Sequence, residues 1–174
     1  DLQRLSQVIE IHVVDGKPEL ISPISILERL KRLEHEVDSL RLKLQESKIA
    51  AGTEPMTGTG IEVNLYDAEL GMGSEQIVHD FDIRDIVNEL FSAGAAGVAI
   101  NDQRLIATSS IRCAGPVILV NQQPIAVNPV TIRAVGDPEI LLSSLDLIRA
   151  EYQSIGIRFR IKTEEKLTLP AYGQ

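Results

Sequence analysis

The sequence predicts an α+β protein: a helical N-terminal segment suited to a coiled coil, then a β-sheet domain with two helices packed on one face. Three observations carry this. Apolar residues between Ile26 and Leu44 recur with a helical period, a Gly/Pro-rich stretch follows at residues 50–59, and beyond it strand-like alternation and helix-like stripes succeed one another. The organisation expected is an N-terminal segment over 1–49, with its helix at about 24–48, a linker over 50–59 and an α+β domain over 60–174.

In the helical segment, Ile26, Leu30, Leu33, Val37, Leu40 and Leu44 are spaced 4, 3, 4, 3 and 4 apart. That is the 3.5-residue period of a coiled-coil seam. With Leu30, Val37 and Leu44 at a and Ile26, Leu33 and Leu40 at d, a parallel pair sets Arg29 against Glu34 and Glu36 against Arg41, both attractive. The spacing therefore points to a parallel homodimer; an amphipathic helix packed on its own domain is the other reading of so short a seam. Leu42 lies off it. Upstream, Val13 to Lys17 carry Asp15-Gly16, a hairpin-turn dipeptide, and Leu2, Leu5 and Ile9 suit the end of an earlier helix.

Past the linker, Gly60 to Tyr66 alternates apolar and polar, as a half-buried strand does. A helix follows, with Asp80 or Asp82 as cap, a stripe of Ile83, Ile86, Val87 and Leu90, and Gly94 as stop. Strands are expected at Gly97–Ile100, 106–113, 117–121 and Val130–Val135. A second helix starts at Asp137-Pro138, turns Leu141, Leu145 and Ile148 inward, and runs toward Gly156. Ile157 to Ile161 alternates again, and Leu167 to Leu169 adds an edge. The order β-α-β-(β-β-β)-α-β is close to a ferredoxin-like layer.

Composition narrows function. With 17 Lys plus Arg against 25 Asp plus Glu, a net charge of -8 and 3% aromatic residues, the chain lacks both the cations and the stacking platforms that nucleic-acid binders use. One cysteine and three histidines cannot build a closed zinc site or an internal disulfide, so no metal and no cofactor is expected. No apolar run approaches the roughly 20 residues that cross a bilayer.

No enzyme signature emerges. Gly58-Thr59-Gly60 and Gly71-Met72-Gly73 lack a phosphate loop's lysine and read as turns. Cys113 is a nucleophile only if His79 lies beside it; the plainer reading is a small buried residue. His79, Asp80, Asp82 and Asp85 suit a helix start without a metal. The speculative site is an anion site of Asn101, Arg104, Arg112 and Arg133, provided that sheet alternation gathers the guanidiniums on one face; pairing with the surplus acids is the alternative. Arg158, Arg160 and Lys162 share one side of the last strand and face solvent.

Taken in order, Val78-His79-Asp80, the run from Ile86 to Ala95 (IVNELFSAGA), Ala99 to Leu105 (AINDQRL), Thr108 to Pro116 (TSSIRCAGP), Val120-Asn121 and Ala134 to Pro138 (AVGDP) resemble the bacterial YlxW/YlxX family, whose domain is of unknown function and is sometimes labelled division initiation protein. The likeness runs from about Gly58 to Tyr172. The chain departs from the pattern at Phe91, where Trp is expected, and at Gln122-Gln123, where a Gly turn is expected. The resemblance implies a single membrane-spanning anchor before Asp1 in the cytoplasmic membrane, a coiled coil, an extracytoplasmic C-terminal domain, and gene neighbours in division, envelope or sporulation. It implies no catalytic residues. The expectation is a non-enzymatic, membrane-tethered scaffold with envelope or division partners; the alternative is an extracytoplasmic small-anion sensor that signals through the coiled coil.

Overall fold

The structure, a computed structural model, describes residues 10–14, 17–21, 23–68 and 77–173. The chain divides into two compact units, Asp1–Glu46 and Ser47–Gln174. In the first, strands β1 (Glu10–Val14) and β2 (Lys17–Ile21) form an antiparallel hairpin closed between Val14 and Lys17, as Asp15-Gly16 suggests. Helix α1 (Pro23–Ala50) begins in this unit, with proline at its first position, where no backbone donor is missed. Leu2, Leu5 and Ile9 and the Gly71-Met72-Gly73 turn lie outside the described residues.

The second unit is α+β. Its five-stranded sheet has the order β10-β3-β9-β4-β5, every neighbour antiparallel, made from β3 (Met56–Tyr66), β4 (Gly97–Ile100), β5 (Gln103–Arg104), β9 (Val130–Val135) and β10 (Arg158–Leu169). A separate three-stranded sheet, β6 (Ile111–Ala114), β7 (Val117–Val120) and β8 (Gln123–Pro124), lies between β5 and β9 in the chain.

Alternation sorts the large sheet into two faces. Ile61, Val63 and Leu65 of β3, Val98 and Ile100 of β4, and Val130, Ile132 and Ala134 of β9 share one buried core with the helices. Helix α2 (Asp80–Ser92) brings Ile83, Ile86, Val87 and Leu90 to it, α3 (Pro138–Ser144) brings Leu141, and α4 (Asp146–Ser154) brings Tyr152. Each fully buried aliphatic side chain contributes about 1.5–3 kcal/mol. Gly94 ends α2 in the left-handed region at φ 92, with Gly94 N donating to Phe91 O and Ala95 N to Leu90 O.

Four expectations are corrected. The linker over 50–59 is shorter, because α1 runs to Ala50 and β3 starts at Met56; Gly58 and Gly60 are strand residues, and a Cβ on Gly60 would lie 2.0 Å from Ala134 O. They permit close strand approach rather than a turn. The single helix after Asp137 is two, so three helices pack on the sheet. Ser143 Oγ bonds to Glu139 O (2.8 Å) and Ser144 Oγ to Leu141 O (2.9 Å), a back-bonding that competes with the helix ladder just before the break at Leu145. The strand expected over 106–113 is confined to Ile111–Ala114, since Ile106 N finds Ser109 Oγ (2.9 Å) and folds into a turn. Finally, β10 carries a bulge between Glu164 and Leu167. One extra residue flips the faces, so Leu167 and Leu169 join Met56, Ala99 and Val135 in a second, small apolar cluster with Ile49.

Candidate functional site

The four residues of the expected anion site fall in three environments. Arg104 pairs with Ala99 and Ala99 with Arg133, which places both arginines in one row of the sheet face opposite the helices. Yet Arg104 is 1% exposed. Its Nη2 donates to Ile49 O (3.1 Å) in the last turn of α1 and its Nη1 to Pro170 O (3.5 Å). Burial pulls its pKa below the usual arginine value. A buried cation at a helix C-terminus satisfies carbonyls that the helix leaves open and meets the negative end of its dipole. Gly97 makes room, for a Cβ there would stand 2.7 Å from Arg104 Nη2.

Asn101 and Arg133 are brought together. Asn101, at φ 49, turns β4 into β5 and holds the neighbouring chain through Thr131 N to Oδ1 (2.9 Å) and Nδ2 to Ala126 O (3.1 Å). Arg133 Nη2 donates to Asn101 O and meets Asp102 at 3.3 Å, while Nη1 reaches Thr168 O at 3.4 Å. Glu62 lines the same shallow groove of about 340 Å³. One guanidinium facing two carboxylates has no net pull on an anion. Arg112 is exposed on β6, in the other sheet. The four therefore do not form one anion site: Arg104 turns its Nη groups to backbone carbonyls, Arg133 turns its own to backbone and Asp102, and Arg112 stands elsewhere. Sequence spacing gave no sign of Ile49 and Pro170, which meet Arg104 across 55 and 66 residues.

The start of α2 is a capping arrangement. His79 occupies the cap position, its backbone N–H donating to Asp82 Oδ2 at 2.7 Å, so Asp82 does the capping from inside the helix. Asp82 is 3% exposed, and burial raises its carboxyl above the usual range despite the His79 N–H. His79 stacks on Phe81 at 5.3 Å. Cys113 is exposed rather than buried. Burial pushes the Asp80 carboxyl up, but the Cys113 backbone and thiol and Arg84 outweigh that and leave it below the usual value. Among the described residues no group of three His, Cys, Asp or Glu is placed to hold a metal ion, and no helix is long and apolar enough to cross a membrane.

The seam residues Ile26, Leu30, Leu33, Val37, Leu40 and Leu44 are all between 37% and 58% exposed in the single chain. Around them, Arg41 and Asp38 pair at 3.5 Å on the helix surface.

Fold and site together define an α+β domain that follows a helix with an uncovered apolar stripe. Residues 43–174 match the family described as "Bacterial protein of unknown function (DUF881)", and the chain belongs to it. It is 41% identical over 109 residues to UPF0749 protein YlxW of Bacillus subtilis, covering 59% of this chain and 46% of that protein. It is 30% identical over 153 residues to UPF0749 protein Rv1823 of Mycobacterium tuberculosis (78% and 50% covered), and 30% identical over 145 residues to UPF0749 protein YlxX of Bacillus subtilis (77% and 60%). The chain thus spans about half the length of these relatives. A crystal structure of an uncharacterized conserved protein from Mycobacterium tuberculosis shares the fold, with a TM-score of 0.65 at 22% identity over 76% of this chain and 92% of that one. At the turn where the family pattern expects glycine, Asn121 and Gln122 both take positive φ (52 and 67), so the β7–β8 hairpin is closed without one. Phe91, in the place of the expected Trp, is 44% exposed.

Proposed function

We propose that the chain is a non-enzymatic interaction module that pairs in parallel with a second copy through Ile26 to Leu44 and presents its α+β domain to partners. The observation that carries this is the seam: six aliphatic residues at 3.5-residue spacing on a 28-residue helix, each at least 37% exposed. An apolar stripe of that period is the surface a second helix covers, and the Arg29/Glu34 and Glu36/Arg41 pairs favour the parallel register. The domain itself reads as ferredoxin-like, supported by the order β10-β3-β9-β4 with α2 linking β3 to β4 and α3–α4 linking β9 to β10. Attachment to the cytoplasmic membrane by an anchor upstream of Asp1, an extracytoplasmic domain, and a role in envelope or division assembly complete the proposal; they are supported by the family resemblance.

Sedimentation velocity across a concentration series tests the pairing, and a monomer at high micromolar concentration overturns it. Register is tested by Val37→Cys in a Cys113→Ser background: a parallel pair sets the two introduced thiols side by side, and mild oxidation yields a covalent dimer. A thiol that stays unlinked while the chain sediments as a dimer overturns the parallel arrangement alone.

A further inference from the structure

A cavity of about 360 Å³ is lined by Gln103, Asn121, Gln123, Tyr172 and Gly173. We propose that it binds a neutral, hydroxyl-rich ligand of the saccharide class, about one or two sugar rings in size.

The lining is the argument. In a chain of net charge -8 it carries no ionisable group except the Tyr172 phenol; its polar side chains are three carboxamides and that hydroxyl. A carboxamide offers an acceptor and two donors without charge, which matches a vicinal diol, itself donor and acceptor at each oxygen. An anion or a cation would leave its charge uncompensated there. Among the described residues the side chains of Gln103, Gln123 and Tyr172 make no hydrogen bond, so their valences are available. Tyr172 is 41% exposed, a ring suited to the C–H face of a sugar. Asn121 is fixed by Nδ2 donating to Arg104 O (3.1 Å), while its Oδ1 is buried without a partner. The frame is rigid: Tyr172 N donates to Gly52 O at 2.7 Å, and Gln103 precedes the buried Arg104.

The walls are also the clamp on the last turn of α1. Arg104 holds Ile49 O, Asn121 holds Arg104 O, and Tyr172 holds Gly52 O. A ligand seated against Asn121 and Tyr172 stiffens that clamp. The proposal stands apart from the pairing of seams, and a monomeric chain would bind as well.

The test is an NMR titration of the folded chain with maltose, cellobiose and N,N'-diacetylchitobiose, with citrate and spermidine as charged controls. At least one neutral disaccharide is expected to shift the amide resonances of Gln103, Asn121, Gln123 and Tyr172 saturably by 20 mM and to slow amide exchange at Gly52 and Thr53. Gln123→Ala with Tyr172→Ala, both at exposed positions, is expected to weaken that binding at least tenfold with an unchanged melting temperature. The proposal is overturned if none of the three sugars shifts those amides, if the double variant binds as well as the parent, or if only a charged control binds there.

Discussion

The helix seam and the domain core are built from the same kinds of side chain, and they differ in how far each is buried. Leu30, Leu33 and Leu40 are more than half exposed, while Leu65, Leu90 and Leu141 are fully buried. Periodicity explains the contrast. The core stripes on α2, α3 and α4 meet a sheet whose face alternates to receive them, whereas a 3.5-residue stripe on a long helix suits another helix of the same kind. An aliphatic residue is thus a statement about a partner, and its spacing says which kind.

The largest effect separates the two regions. Leu90→Ala is expected to destabilise the domain by about 2–5 kcal/mol through lost burial and a cavity, lowering its thermal midpoint markedly. Leu33→Ala is expected to leave the domain's unfolding within about 0.5 kcal/mol while raising the dimer dissociation constant at least about tenfold. Denaturation followed by a domain probe, alongside sedimentation, reads both; equal effects on domain stability would erase the distinction.

Arg104→Met sharpens where the boundary falls. It keeps much of the volume but leaves Ile49 O and Pro170 O without their donor, so a loss of about 1–3 kcal/mol is expected. Faster amide exchange should concentrate at Ala51 to Thr53 and spare the seam. Unchanged exchange at those amides would mean that the guanidinium does not hold the helix end.

The smallest effect is a pH dependence at the start of α2. Asp82 has a higher pKa folded than unfolded, because burial disfavours its charge. The fold therefore binds more protons than the unfolded chain at this site, and the contribution of Asp82 to stability falls as pH rises from the ordinary carboxylate range through the raised value. Asp82→Asn, which can still accept the His79 N–H, is expected to gain stability relative to the parent between pH 3.5 and pH 7. A difference that is flat or slopes the other way would remove burial as the dominant influence there.

How much was legible depends on how local the cause is. Gly94, Asp137-Pro138 and the Ile83/Ile86/Leu90 stripe placed their elements, because caps and stripes act within a few residues. Gly58 and Gly60 misled, since their smallness serves β9, a strand more than 70 residues away. The break at Leu145 was readable in principle from Ser143-Ser144, whose hydroxyls compete with the ladder. Cys113 looked like a small core residue because a lone cysteine usually is one, yet it stands exposed on the short strand Ile111–Ala114 of the second sheet.

By itself, the sequence determined the α+β class and the long helix with its apolar stripe, which rest on periods and short-range chemistry, and its motifs carried the family. Only the tertiary structure decided that Arg104 is a buried clamp on Ile49 and Pro170, that a one-residue bulge turns Leu167 and Leu169 to the second face, and that three carboxamides and Tyr172 meet around one cavity. Those depend on strand register and on contacts between distant parts of the chain, where a shift of one residue exchanges the faces and no local pattern records the outcome.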